Sequence, residues 1–257
     1  MVGETVVGAV SAKRSTWRRW NLWAEASRQT MGWRFATAQD REEAVRLIVQ
    51  SAEQQSLRIS PPDLAVSPQV FTRVDGTSQF RPRHSIVYTS TELLAAEDRL
   101  LARAEDVTAP GLDASSIERY SGAHAHGTRL TEEQQVTLAR IATSRRRLDL
   151  LIGPAGAGKT TALRALRQAW QAEYGKDSVV GLAPSAAAAQ VLADDLGIAC
   201  ENTAKWMHEV DRERTALRPG QLVIIDEATL SGTLALDRIT GLVEAAGAKA
   251  LLVGDWA

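Results

Sequence analysis

The second half of the chain alternates short, unbroken apolar runs with longer stretches of mixed character. The runs are Leu148–Ile152, Val179–Ala183, Leu222–Ile225 and residues 250–253. Apolar runs of this length, bounded by turn residues, have the pattern of strands buried on both faces. Between them the composition predicts a helix over 161–170 and an alanine-rich helix ended by Gly197. Two more are predicted, a short one over 204–213 and one over 233–246 that stops at Gly247. Strand and helix alternate, so the predicted class is α/β, a parallel sheet with helices on both faces. In front of it Leu130-Thr131-Glu132-Glu133-Gln134-Gln135 opens a capped helix with apolar positions Val136, Leu138, Ala139 and Ile141. Arg145-Arg146-Arg147 closes that helix.

The first half has weaker periodicity. Residues 1–10 are apolar and glycine-containing and show no helical period. Residues 11–34 hold six basic residues, Lys13, Arg14, Arg18, Arg19, Arg28 and Arg34, against one acid, Glu25. Trp17, Trp20 and Trp23 recur every third residue, which on a helix gathers them on one flank, and Trp33 follows. Such an arm fits either contact with a nucleic-acid backbone and its bases or packing of the tryptophans on a neighbouring domain with solvated arginines. The packing alternative is favoured. Asp40-Arg41-Glu42-Glu43 reads as a capping box that opens a helix to about Gln55, with Val45, Ile48, Val49 and Ala52 buried. Pro61-Pro62 interrupts regular structure, and residues 70–80 bracket Asp75-Gly76, a hairpin signal. Ile86-Val87-Tyr88 reads as a further strand, and Thr89-x-x-Glu92 as the cap of a helix carrying Leu93, Leu94, Leu100 and Leu101.

The expected organisation is therefore a small α+β region over 1–104, a linker over 105–129 rich in Gly, Pro and Ser, and an α/β lobe over 130–257. His124-Ala125-His126 lies in the linker without further ligands near it in sequence, so no metal centre is read there.

Composition constrains this picture only loosely. The 257 residues are 44% hydrophobic and 24% charged with net charge −1, ordinary for a globular protein, so any nucleic-acid contact must be a local patch. Cys200, a lone cysteine in an apolar stretch, excludes an intrachain disulfide and reads as a small buried residue. No run is long and apolar enough for a membrane helix, and no signal peptide is evident, so the expected location is cytoplasmic with no membrane partner.

The chemistry concentrates at the ends of the apolar runs. Gly153-Pro154-Ala155-Gly156-Ala157-Gly158-Lys159-Thr160 fits G-x-x-x-x-G-K-[ST], directly after one predicted strand and before a helix. Glycines there let backbone N–H groups turn toward phosphate oxygens, and the helix N-terminus adds partial positive charge. Lys159 is expected to reach the outer phosphates of ATP and Thr160 to ligate Mg²⁺. The run 222–225 opens onto Asp226-Glu227, the Walker B arrangement. Asp226 is expected in the Mg²⁺ shell, and Glu227 is placed to activate a water for hydrolysis. Ligands of such sheets sit at the C-terminal strand ends, so Lys159, Asp226 and Asp255 can converge.

Taken together, Leu130-Thr131-x-Glu133-Gln134, the glycine loop, Ala183-Pro184-Ser185 with Ala188-Ala189, Asp226-Glu227-Ala228 and Gly254-Asp255 resemble successive motifs of RecD-like superfamily 1 DNA helicases. The chain is similar, closer still, to the helicase portion of MobF-type (TraA/TrwC-like) conjugative relaxase–helicases, as is the stretch 89–97. That resemblance implies a RecA-like P-loop lobe in which residues 153–160, Thr161 and Asp255 surround the nucleotide and Gln134 reads the adenine edge. It implies that Pro184, Ser185 and Thr203 line a path for single-stranded DNA, and that Asp255 couples nucleotide state to that path. It also places the Asp255 strand between the other two site-bearing strands. Thr229 stands where the family usually has serine. A second lobe with its arginine finger, the relaxase tyrosines and a three-histidine cluster do not appear, so the resemblance implies a fragment or truncated product partnered by a missing lobe or conjugation machinery.

The leading expectation is the first motor lobe of an ATP-dependent DNA helicase. The alternatives are a catalytically inactive nucleotide- and DNA-binding fragment and a P-loop small-molecule kinase. Glu227, Gln134 and the lack of a lid-type arginine cluster argue against the kinase.

Overall fold

The computed structural model describes residues 2–61, 67–74, 78–82, 85–121, 130–154 and 156–255. They form two compact units, one of residues 1–97 with 232–234 and one of residues 98–231 with 235–257.

The first unit is mostly helical: α1 (Val2–Ser11), α2 (Arg19–Gln29), α3 (Ala38–Gln54) and the start of α4 (Thr91–Glu105). Strands β1 (Leu57–Arg58) and β2 (Tyr88–Thr89) form a two-residue antiparallel pair. Val6, Val7 and Val10 of α1, Leu22 of α2, Val45 and Val49 of α3 and Leu93 of α4 make its core. Residues 2–10 are thus helical, contrary to the sequence expectation of no helical period over 1–10. The buried stripe is there, but the opposite face carries Thr5 and Gly8 beside Glu4, and such small residues mute the contrast.

The basic segment also departs from expectation. The helix begins only at Arg19, so the three-residue tryptophan spacing does not make a flank. Trp17 is extended and buried, exchanging backbone hydrogen bonds with Tyr88 at 2.9 and 2.8 Å and donating its indole N–H to Ser56 Oγ. Trp23 packs on the unit's own core, while Trp20 and Trp33 stay exposed. Glu25 gathers two of the cations, with Arg28 at 2.6 Å and Lys13 at 3.3 Å, and Arg19 pairs with Glu53. Burial tends to raise the Glu25 carboxyl, but hydrogen bonds from Arg28 and Lys13 outweigh it and hold the group below its usual range.

Two caps differ from those the sequence suggested. Thr37, not Asp40, caps α3, and Asp40 closes the box by accepting from the Thr37 N–H at 3.0 Å, which leaves Glu43 to pair with Arg46. Ser90, not Thr89, caps α4 by accepting from the Leu93 N–H, because Thr89 belongs to β2. Leu94 and Leu101 of that helix face solvent. Of the expected hairpin, the described residues keep one antiparallel bridge, Thr72 to Ser78; Asp75-Gly76 lies outside the described residues, as do Pro62, His84, His124, Ala125 and His126.

The second unit is an α/β sandwich around five parallel strands. These are β3 (Leu148–Ile152), β4 (Val179–Ala183), β5 (Ala199–Asn202), β6 (Leu222–Ile225) and β7 (Lys249–Gly254), in the order β3-β7-β6-β4-β5. The strand that leads to Asp255 therefore lies between the other two site-bearing strands, as the resemblance implied. Its helices are the end of α4, α5 (Ala114–Ser121), α6 (Glu132–Thr143), α7 (Lys159–Tyr174), α8 (Ala186–Leu196), α9 (Thr203–Asp211) and α10 (Thr233–Ala245).

The period of two along β6 explains its unbroken apolar run: Leu222 and Ile224 belong to the same core cluster as Leu166 and Trp170 of α7, while Val223 and Ile225 belong to the cluster that holds Ile239 and Val243 of α10. Both faces are buried, so both parities must be apolar. β3 differs: it is an edge strand with Leu150 and Ile152 about half exposed, where a buried strand was expected. β5, the opposite edge, was not foreseen, since Ala199-Cys200-Glu201-Asn202 is too polar and short to stand out. Residues 105–121 are not linker either. Ala109, Leu112 and Ile117 are buried, with Leu112 and Ile117 in the core beside α6 and α7, and Arg147 pairs with Asp106. Among the described residues no helix is long and apolar enough to cross a membrane.

Candidate functional site

The chain leaves β3 at Ile152, loops through residues 153–158 and enters α7 at Lys159. Gly158 caps α7 from the left-handed region, φ +75°, and a Cβ there would sit 2.3 Å from Gln134 Nε2. Both conditions demand glycine. Gln134 is the third residue of α6. Its Oε1 accepts from the Thr131 N–H at 3.0 Å, and its Nε2 donates to the Ala157 carbonyl at 3.0 Å. The capping box of α6 thus reaches over and ties the glycine loop down. Ala155 lies outside the described residues.

Lys159 folds back over the loop. Its ammonium donates to Gly153 O at 2.8 Å, Pro154 O at 3.0 Å and Asp255 Oδ1 at 2.5 Å, using all three of its donors. Asp255 comes off the end of β7, whose Gly254 carbonyl accepts from the Gly153 N–H at 3.3 Å.

β6 delivers Asp226, half-buried, with its N–H donating to Leu182 O at 2.8 Å. Burial raises its carboxyl above the ordinary range, and Asp255 and Asp195 push the same way, against the Glu227 N–H and Lys159. Glu227 is exposed and sits at φ +48°. A non-glycine residue in that region is held there by its surroundings, a condition common at functional turns.

These groups face one hollow of about 470 Å³, lined among others by Lys159, Thr160, Asp195, Asp226, Glu227 and Asp255. A second hollow of about 460 Å³ lies on the other side of the loop, lined by Thr131, Gln134, Thr137, Gly153 and Lys159 among others. The sequence-predicted residues Gly156, Lys159, Thr160, Asp226, Glu227 and Asp255 are thus brought together, and Gly153, Pro154, Ala157, Gly158 and Gln134 border the neighbouring hollow. Thr161 lines neither. Asp195, on the last turn of α8, belongs to the first hollow and pairs with Arg164 at 2.9 Å. No motif marked it; only its place one helix away from the loop does.

The donor set suits Mg²⁺. A carboxylate with a raised proton affinity and the Thr160 hydroxyl line the same hollow, both hard oxygen donors. Among the described residues no group of three or more His, Cys, Asp and Glu is arranged to hold a metal unaided. Mg²⁺ bound through one or two protein ligands and phosphate oxygens needs no such group.

Thr229 adds a methyl that β7 accommodates: Cγ2 would lie 3.2 Å from a Cβ on Gly254. Ser185 and Thr203, implied as DNA contacts, serve the fold here. Ser185 Oγ caps α8 by accepting from the Ala188 N–H, and the buried Thr203 hydroxyl donates to Ala183 O. Pro184 O accepts from Asn202 Nδ2, the side chain that caps α9. Cys200 is half-buried, and burial, with Asp226 nearby, pushes its thiol up to about 11, so it stays protonated.

Comparison with known proteins places the chain. It is 32% identical over 168 residues to the "Probable conjugal transfer protein TraA" of Sinorhizobium fredii, a match covering 65% of this chain and 15% of that protein. It is 38% identical over 133 residues to the conjugal transfer protein TraA of Agrobacterium fabrum, covering 51% of this chain and 12% of the relative. The multifunctional conjugation protein TraI of Escherichia coli matches at 29% identity over 133 residues, 49% of this chain and 8% of that one. The chain therefore spans a small part of the length of these relatives. Among solved structures the UvsW helicase from bacteriophage T4 aligns with TM-score 0.44 at 12% identity, over 70% of this chain and 76% of the other, a likeness too slight to add to the fold. The AAA domain family matches residues 129–257, half of the sequence and all five parallel strands of the α/β unit, and the chain belongs to that family.

Proposed function

We propose that the α/β unit binds Mg²⁺-ATP and serves as the nucleotide-binding lobe of a helicase that acts in conjugal DNA transfer. The observation that carries this is the convergence of Lys159, Thr160, Asp226, Glu227 and Asp255 on one hollow at the C-terminal ends of adjacent strands β3, β7 and β6. In this reading the N–H groups at the start of α7 and the Lys159 ammonium take the phosphates. Thr160 and Asp226 hold Mg²⁺, which neutralises charge on the phosphate oxygens. Glu227 orients the attacking water, and the base lies in the second hollow beside Gln134. The similarity to conjugal transfer proteins supports the biological setting, with single-stranded DNA and the rest of the conjugation machinery as partners.

Binding without rapid turnover is favoured by one feature. None of the described residues lining the first hollow is an arginine. P-loop hydrolysis draws a rate factor on the order of 10³–10⁵ from such a residue, so this chain is expected to bind nucleotide and hydrolyse it slowly. Calorimetry with Mg²⁺-ATP tests the reading: the parent chain should bind, and Lys159→Ala should abolish binding. Equal affinity in both would sink the site assignment.

A further inference from the structure

At the other end of the sheet the N-terminal ends of β4 and β5 border a hollow of about 710 Å³ that shares no lining residue with the two hollows beside Lys159. Three cations from three separate segments line it: Arg167 of α7, Lys176 of the α7–β4 turn and Arg218 of the turn before β6. Arg167 is the unusual member. Its Nε–H is buried and has no hydrogen-bond partner. A desolvated donor left unpaired is unfavourable, more so on a charged group, and such a donor beside a polar hollow marks a place where an acceptor belongs.

Two details show why this donor is unpaired. Arg164, one turn earlier on the same face of α7, already takes the acceptors at the end of α8, donating to Asp195 O at 2.5 Å and to Asp195 Oδ1 at 2.9 Å. Arg167 is left without them. Its guanidinium then lies against Gly197, the left-handed residue that ends α8, where a Cβ would stand 3.1 Å from Arg167 Nη1. A side chain at 197 would crowd the space the guanidinium uses. Two acids also line the hollow, Asp177 and Asp194. Neither pairs with Arg167, and Asp194 accepts instead from Gln190 Nε2 at 2.9 Å. Arg218 donates only weakly, to Asp177 O at 3.4 Å.

We propose that this hollow is an anion site for a phosphate ester, centred on the Arg167 Nε–H edge with Lys176 and Arg218 at its rim. The planar edge of a guanidinium matches two oxygens of a tetrahedral phosphate, and the two flexible cations add charge without fixing the ligand further. The phosphate could come from a free monophosphate or from the backbone of single-stranded DNA, which present the same oxygens to the guanidinium.

Arginine Nε–H cross-peaks of the ¹⁵N-labelled full chain test this directly, with the Arg167 peak assigned by its loss in Arg167→Lys. Titration with inorganic phosphate or with a thymidine oligonucleotide at constant ionic strength should move that peak saturably. Lys176→Gln with Arg218→Gln should weaken the response by roughly tenfold. Lys159→Ala should leave it unchanged, which separates this site from the nucleotide site. Response to phosphate alone upholds a free-phosphate ligand, and tighter response to the oligonucleotide upholds a backbone ligand. A peak that ignores both probes, or that follows sodium chloride as far as phosphate, overturns the proposal.

Discussion

Lys159 and Asp255 hold each other across the glycine loop, ammonium to carboxylate at 2.5 Å, so the cation expected to meet phosphate is satisfied by the protein. Phosphate must displace the carboxylate before Lys159 can serve it. Asp255 is more than half exposed, which screens the pair and limits its strength. Asp255→Asn should therefore tighten binding of Mg²⁺-free ADP by up to about fivefold at low salt, and the gain should shrink as salt rises. Calorimetry at two ionic strengths measures both. Unchanged affinity at low salt would mean that the pair is not an obstacle.

Thr229 and Gly254 form a second coupled pair. A Cβ at 254 would stand 3.2 Å from the Thr229 methyl, closer than neighbouring atoms normally sit. Gly254→Ala should destabilise the fold by up to about 1 kcal/mol, since the exposed Thr229 side chain can turn partly aside. Thr229→Ser, which deletes the methyl, should recover a good part of that in the double variant, with a coupling of about 0.5 kcal/mol or more. Denaturant midpoints of the four proteins decide it, and strict additivity would show the two sites to be independent.

Much of the α/β unit was legible because its physics is local. A strand buried on both faces must be apolar at every position, so β4 and β6 announced themselves, and the loop before Lys159 has few alternatives to glycine at 158. The edges were not legible. β5 pairs on one side and tolerates Glu201 and Asn202, and β3 has strand composition but gives no sign of its outer position. Residues 105–121 misled because Gly, Pro and Ser suggest a linker, whereas Ala109, Leu112 and Ile117 were enough to anchor them. Trp17 was misplaced for a related reason. A three-residue spacing suggests a helix, and only a long-range partner, Tyr88, holds Trp17 extended. Asp195 reaches the site through helix placement, which no short motif encodes.

Lys249 offers a pH test remote from the candidate site. It is fully buried and donates to Asp149 Oδ2 at 2.6 Å, Ser144 Oγ at 2.9 Å and Arg146 O at 2.6 Å. Burial lowers its proton affinity below the ordinary value of 10.5, Asp149 opposes the shift, and Arg146 adds to it. Between the lowered folded value and 10.5 the unfolded chain binds more protons, so this group makes stability rise with pH across that window and contributes no slope below it. The stability difference between the parent and Lys249→Met, followed by denaturation toward about pH 10.5, should show that slope. Lys249→Met should also cost up to roughly 3–5 kcal/mol near neutrality, because it leaves the buried Asp149 carboxylate without its cation and with the Ser144 hydroxyl as its remaining hydrogen-bond donor. A flat difference across the alkaline range would contradict the burial assigned to Lys249.

Glu227 joins strain and chemistry at one position. Its backbone sits at φ +48°, where most L-residues lose about 1–2 kcal/mol and asparagine loses less. Glu227 lines the hollow that also holds Asp226. Glu227→Asn should therefore raise stability by about 1 kcal/mol, a shift of roughly 2–4 °C in the melting temperature of a chain this size. It should leave Mg²⁺-ATP affinity within about twofold, since the carboxylate is assigned to the water and not to the phosphates. Residual hydrolysis should fall by about tenfold or more. Glu227→Gln, which keeps side-chain length and strain, should lose hydrolysis equally but gain no stability. Melting curves, calorimetry and single-turnover hydrolysis on the three proteins separate the two roles. If Glu227→Asn hydrolyses as fast as the parent, the water-activating assignment fails. If both variants melt with the parent, the backbone at 227 carries no strain worth relieving.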